Sequence, residues 1–90
     1  MANRTLIKGA EAACPTATGT ASTFSNATVV RLVNSTATAR LVTVVEEADG
    51  TVVGSFTMPG NTVEYVEKDP AYAIFAANAA VLGAKVGFTN

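Results

Sequence analysis

The stretch Ala39–Met58, ARLVTVVEEADGTVVGSFTM, decides the fold class. It holds two runs rich in Val and Thr, ARLVTVVEE (Ala39–Glu47) and TVVGSFTM (Thr51–Met58), with Asp49-Gly50 between them. β-Branched side chains are stiff at χ1 and suit a pleated surface. Asp-Gly between such runs marks a hairpin, because Gly tolerates the positive φ that tight turns demand. Two paired strands are expected here.

The pattern extends in both directions. ATVVRLVN (Ala27–Asn34) reads as a strand with Val30 and Leu32 on one face and Val29, Arg31 and Val33 on the other. STAT (Ser35–Thr38) is polar enough to be a connection. Pro59-Gly60 suits the centre of a type II turn, Pro presetting φ and Gly accepting a positive one. NTVEYVEK (Asn61–Lys68) then alternates Val63, Tyr65 and Glu67 against Glu64, Val66 and Lys68. Strands in meander order with short turns predict an all-β fold, a small Ig-like antiparallel β-sandwich.

The two ends read differently. PAYAIFAANAAVLGAKVGFTN (Pro70–Asn90) runs for fifteen uncharged residues, Pro70 to Ala84. A membrane span needs about 20 strongly apolar residues, and this run is mostly Ala, so it reads as a buried or interfacial segment. Asp69-Pro70 can open a helix, as N-cap and first helical residue. A short helical turn near Pro70–Tyr72 and an extended return are expected, with a helix over Ala71–Ala80 as the alternative. AKVGFT (Ala84–Thr89) closes the domain as a strand, with Val86 and Phe88 on one face. At the other end, RTLIKGAE (Arg4–Glu11) can form a strand whose large apolar residues are Leu6 and Ile7. Between Glu11 and Arg31 there is no charge, and CPTATGTASTFSNAT suits either a flexible arm or an extended, irregular crossing of the surface. The chain thus divides into an N-terminal strand and extended arm, 1–26, and a sandwich domain, 27–90.

Composition limits the chemistry. At 90 residues the chain buries roughly 60–65% of its unfolded surface, so the core is thin. Charged residues make up 14% and the net charge is -1, unlike a nucleic-acid binder with its basic patch. There is no His and one cysteine, Cys14, so Ser-His and Cys-His catalysis lack their base. Cys/His zinc spacing and a phosphate-cradling loop are also missing. The carboxylates Glu46, Glu47 and Asp49 fall on a tight turn, and Glu64, Glu67 and Asp69 on an alternating strand and its end. Neither group has calcium-loop spacing, and both read as solvated surface. Three N-x-S/T matches, at Asn3, Asn26 and Asn34, read as chance in a Thr-rich chain without an apparent secretory signal. Cys14 reads as a loop or arm thiol compatible with a reducing cytosol. No enzyme activity, cofactor, metal, small-molecule substrate, nucleic acid or membrane is expected.

Contact is the remaining task. Phe56 and Phe88 read as core from their strand alternation. Tyr72 and Phe75, beside Ile74, divide between core and interface, where aromatics with a polar edge are favoured. Leu6, Ile7 and Phe24 belong to the segment that can reach a partner. The contact candidates are therefore Leu6, Ile7, Phe24, Tyr72, Ile74 and Phe75.

ATVVRLVN, GSFTMPGNTVEYVEKDP and AAVLGAKVGFTN together resemble small virion proteins of tailed phages of aquatic and cyanobacterial hosts. The likeness runs over Ala27–Asn90, and its motifs are loose, being strand and turn punctuation. It implies a non-enzymatic structural role, decoration or cementing of the capsid exterior, in a virion assembled in the host cytoplasm. The partners implied are the major capsid protein or another virion protein, with self-association or many copies per particle. The alternatives are a tail, neck or fibre-associated β-domain, and a small cytosolic module that binds a host protein.

Overall fold

A computed structural model describes residues 4–89. Eight strands are formed in them: β1 (Arg4–Ile7), β2 (Ala12–Ala13), β3 (Val29–Asn34), β4 (Arg40–Val45), β5 (Val52–Met58), β6 (Val63–Glu67), β7 (Ala73–Ala76) and β8 (Val81–Thr89). All the pairings are antiparallel. One sheet runs β1-β8-β3-β6, with β2 also on β8, and the other runs β5-β4-β7. The chain is an all-β sandwich.

Its strand order corrects two expectations. Only β4 and β5 form a hairpin of the predicted meander; β3 to β4 and β5 to β6 both cross between sheets. The last strand of an immunoglobulin sandwich lies in one sheet with the strand before it. Here β8 lies between β1 and β3, in the sheet opposite β7. The sheet orders β1-β8-β3-β6 and β5-β4-β7 follow those of a jelly roll, with β2 departing from it by pairing with β8. Local pattern finds strands, but the choice of neighbour depends on which faces must share a core.

The alternation of β3 shows how the core is filled. Val30, Leu32 and Asn34 are buried and face inward, while Val29, Arg31 and Val33 are half-exposed. Across the gap stand Val42, Ile74, Ala76 and Met58, with Val44, Phe56 and Val66 at the margin. Phe24 closes one end. A Cβ on Gly83 would sit 2.7 Å from that ring, so Gly83 is the space in which Phe24 lies.

The two crossings meet at Asn34. Its Nδ2 donates to the carbonyls of Thr38 (2.8 Å), Met58 (3.1 Å) and Pro59 (3.4 Å). Its Oδ1 accepts from the Thr36 backbone N–H (3.1 Å) and hydroxyl (2.8 Å). The connections bond directly as well, Asn61 N–H to Thr36 O (2.9 Å) and Asn34 N–H to Thr62 O (3.0 Å). They run so close that a Cβ on Gly60 would lie 2.4 Å from the Ala37 carbonyl. Gly60 serves this approach and not the predicted positive φ, which Asn61 takes instead (58°). In the hairpin Asp49 (62°) does the same beside Gly50. Asn and Asp tolerate that region through their short polar side chains.

The N-terminal segment crosses the surface and does not project as an arm. β1 and β2 pair with successive parts of β8, Cys14 N–H bonds to Val81 O (2.8 Å), and Ser22 bridges to Ile74. A 3-10 turn at Thr18–Thr20 lies under the β4–β5 hairpin, where Thr18 O accepts from Asp49 N–H (2.7 Å). Residues 4–26 and 27–89 share one core. Near residue 70 the expected helical turn is a single reverse turn. Tyr72 N–H bonds to Asp69 O (2.9 Å), and Ala71 N–H bonds to the Asp69 carboxylate (2.9 Å). The small apolar residues that follow are strand β7, so the alternative helix over Ala71–Ala80 does not form. Among the described residues no helix is long and apolar enough to cross a membrane.

One turn is strained. Phe24, Ser25 and Asn26 all have left-handed φ (51°, 59° and 56°), and Ala27 N–H reaches back to Thr23 O (3.2 Å). Each such residue costs about 1–2 kcal/mol. Phe24 burial offsets part of this, and two lysines bind the turn: Lys68 Nζ donates to Ala27 O (2.7 Å) and Lys85 Nζ to Ser25 O (3.0 Å). Lys68 is buried, not on a solvated strand face, and burial lowers its pKa from 10.5, with Asp69 acting in the opposite direction.

Two predictions follow from these contacts. Asn34→Ala leaves the Met58 carbonyl without that donor and should lower stability by about 1–3 kcal/mol in urea unfolding. Asn34→Asp at neutral pH should cost more, because a carboxylate would face carbonyl oxygens. For Lys68, the unfolded chain holds its proton to higher pH than the folded one. Wild-type stability relative to Lys68→Met should therefore rise as pH climbs from the lowered pKa to 10.5 and stay level below that window, measured by unfolding at each pH.

Candidate functional site

The outer face of the five-stranded sheet carries side chains that the core does not use. Strand register sets them in rows, because directly paired residues point to the same side. Val63, Val33, Leu82 and Ala13 form an apolar row across β6, β3, β8 and β2. Beside it lie Tyr65, Arg31 and the buried Ala84, and farther along β8 come the buried Val86, paired with Ile7, and Phe88, paired with Thr5. Ile7, Tyr65, Phe88 and Val63 are 64%, 45%, 45% and 39% exposed.

Polar atoms fix this face. Tyr65 and Phe88 meet edge to face, ring centroids 5.0 Å apart at 64°. The Tyr65 hydroxyl lies 3.4 Å from Thr5 Oγ1, tying β6 to β1 over the intervening strands. The Thr5 hydroxyl holds the Tyr65 phenol below its usual pKa of 10.0; burial acts in the opposite direction, and Arg31 adds a further lowering. Arg31 Nη1 pairs with Glu11 Oε2 at 3.7 Å. Both groups are well exposed, so this pair positions the guanidinium more than it stabilises the fold. The result is an apolar and aromatic surface that carries the Arg31–Glu11 pair, with the exposed Glu67 at its β6 margin.

The predicted contact residues do not gather in one place. Ile7 joins the outer face, while Leu6, 48% exposed, points to the other side of β1. Phe24 and Ile74 are buried core residues, so neither offers a surface. Tyr72 is half-buried in the turn before β7. Phe75 is half-buried beside Thr43, on the face of β7 opposite Ile74. Phe88, expected in the core, belongs to the outer face. Sequence alternation sorted Tyr65 with Val63, and Phe88 with Val86. What it lacked was the knowledge of which side of each strand faces the second sheet.

Cys14 is buried and its thiol is pushed up to about 11, which leaves it a neutral core group at ordinary pH. Among the described residues no group of three or more His, Cys, Asp or Glu side chains is placed to hold a metal ion. Asn34, one of the glycan-acceptor matches, is wholly buried, whereas Asn26 is exposed and Asn3 lies outside the described residues. A shallow cleft of about 250 Å³ opens between the N-terminal segment and the left-handed turn, lined by Ala10, Ala13, Pro15, Phe24, Ser25 and Lys85 among others. No protein-family model matches the chain, and no curated protein or solved structure shows significant similarity to it.

The Tyr65–Phe88 contact should be worth about 0.5–1.5 kcal/mol, read as the coupling in a double-mutant cycle of Tyr65→Ser and Phe88→Ser. Both single variants should still unfold cooperatively, since each ring is nearly half exposed.

Proposed function

We propose that this chain is a non-enzymatic structural protein of a phage particle, a decoration or cement protein held on the outside of the head. One observation carries the reading: an ordered apolar and aromatic face, Ile7, Val33, Val63, Tyr65, Leu82 and Phe88, that is left outside the protein's own core. An apolar surface that carries two exposed aromatic rings suits contact with another protein. The sequence resemblance to small virion proteins supplies the kind of particle, and jelly-roll sandwiches recur in capsid and lectin domains. The major capsid protein is the partner this reading assigns.

The physical demands of the task agree with the fold. A surface protein in many copies needs a rigid body more than a tight single contact, because repeated weak contacts on a symmetric shell add up. A sandwich with its N-terminal segment paired into the sheet has that rigidity. The outer sheet face can dock without unfolding anything.

Two measurements test the proposal. Quantitative mass spectrometry of purified particles should find this chain at a copy number comparable with the major capsid protein. A few copies per particle would assign it to the tail or neck, and absence would leave the host-binding module. Heads depleted of the chain should bind the purified wild type and lose about tenfold or more in affinity for Tyr65→Ser/Phe88→Ser, as expected for aromatic contacts at an interface.

A further inference from the structure

A sandwich that does not close leaves sheet edges with unpaired main-chain groups, and proteins generally blunt them. Three of the edges here are blunted. β6 carries the exposed charges Glu64 and Glu67. The β1–β2 edge is broken by a register step between Ile7↔Val86 and Ala12↔Gly83, with Arg4 and Lys8 alongside. β7 is covered by the crossing segment, through the Ser22 bridge to Ile74 and the Ala76 N–H bond to Pro15 O (2.9 Å).

β5 is different. A bulge at Val53 interrupts its start, but its seven residues, VVGSFTM, contain no charge and no proline, it runs regularly from Gly54 to Met58, and among the described strands it pairs with β4 alone. Val52 and Val53 are 59% and 52% exposed. Gly54 stands in the middle of this strand with an ordinary negative φ, and a Cβ there would meet nothing within 4 Å. Glycine weakens a strand interior and often marks a place where another backbone approaches. Beside it the β4–β5 ladder carries a bulge, where Val44↔Gly54 is followed by Val45↔Val52, and the space over Gly54 itself stays open.

We propose that the free edge of β5 pairs antiparallel with β5 of a second copy, about a two-fold axis at Ser55. That register sets Ser55 against Ser55 and Val53 against Thr57, with no like charges opposed, and the bulge at Val53 ends the regular pairing there. It also sets Gly54 against Phe56 of the other copy. Gly54 and Phe56 lie on the core-facing side of β5, paired with Val44 and Val42. The half-buried Phe56 ring of each copy then covers the bare Gly54 of the other. A foreign strand would have to bring both a bulky residue and a gap at the right spacing, and this strand already carries them. The two three-stranded sheets become one six-stranded sheet. The outer face of the larger sheet stays free, so the pairing does not depend on the proposed virion role.

Sedimentation equilibrium of the purified full chain tests this. The wild type should form a reversible dimer. Ser55→Lys places two ammonium groups at the axis and should weaken it about tenfold or more, as should Ser55→Glu. An equimolar mixture of the two variants should recover the dimer, since Lys then faces Glu. Gly54→Val, which fills open space in the single chain and so keeps the fold, should weaken the dimer as well. A wild type that remains monomeric up to about 1 mM would overturn the proposal. So would a Ser55→Lys protein that pairs as well as the wild type, or a mixture that does not recover.

Discussion

The buried amide of Asn34 is the interaction on which the architecture depends. It sits at the end of β3, where the chain leaves one sheet for the other, and it binds the carbonyls at the end of β5, where the chain returns. A sandwich whose strands alternate between sheets must bring these two crossings past each other. Backbone polar groups at such a crossing are shielded from water and cannot be left unpaired without a cost of about 1–3 kcal/mol each. One side chain with donors and an acceptor satisfies several of them. Gly60 then lets the second connection lie against Ala37.

The rest of the fold follows from that crossing. With β3 and β6 in one sheet and β4 and β5 in the other, β8 completes the first sheet and β7 the second. The N-terminal segment then covers what these strands leave open, lying along β8, under the hairpin and against β7. The left-handed turn at Phe24–Asn26 is the strained part of this route. It persists because the surroundings over-determine it, with a buried ring on one side and two lysine–carbonyl bonds on the other. A thin core is thus enclosed by a segment whose sequence looks structureless.

Under the proposed function and the proposed pairing, the surface divides by task. The outer face of the five-stranded sheet is apolar, aromatic and ordered by local contacts, which is what a docking surface needs. The β5 edge offers main-chain groups and a self-complementary pattern, which is what strand addition needs. These two surfaces belong to different sheets, so use of one leaves the other open. A shell component that pairs with its own copy presents two docking faces at once, and the second contact gains from the first.

The sequence by itself determined where strands lie and which residues alternate along them. Val30 and Leu32 against Arg31 and Val33, the Asp49 hairpin and the closing strand through Phe88 were all legible, because χ1 stiffness and turn chemistry act over a few residues. The absence of His and the single cysteine were legible too, since they are counts of residue types. Only the tertiary structure decided which neighbour each strand took and therefore which face became the core. Phe88 moved outward, and Ile74 and Phe24 inward. The periodicity of a strand separates its two faces but is the same for both. What breaks that symmetry is the apposition of a second sheet, fixed here by contacts between residues far apart in the chain, such as Asn34 with Met58 and Phe24 with Gly83.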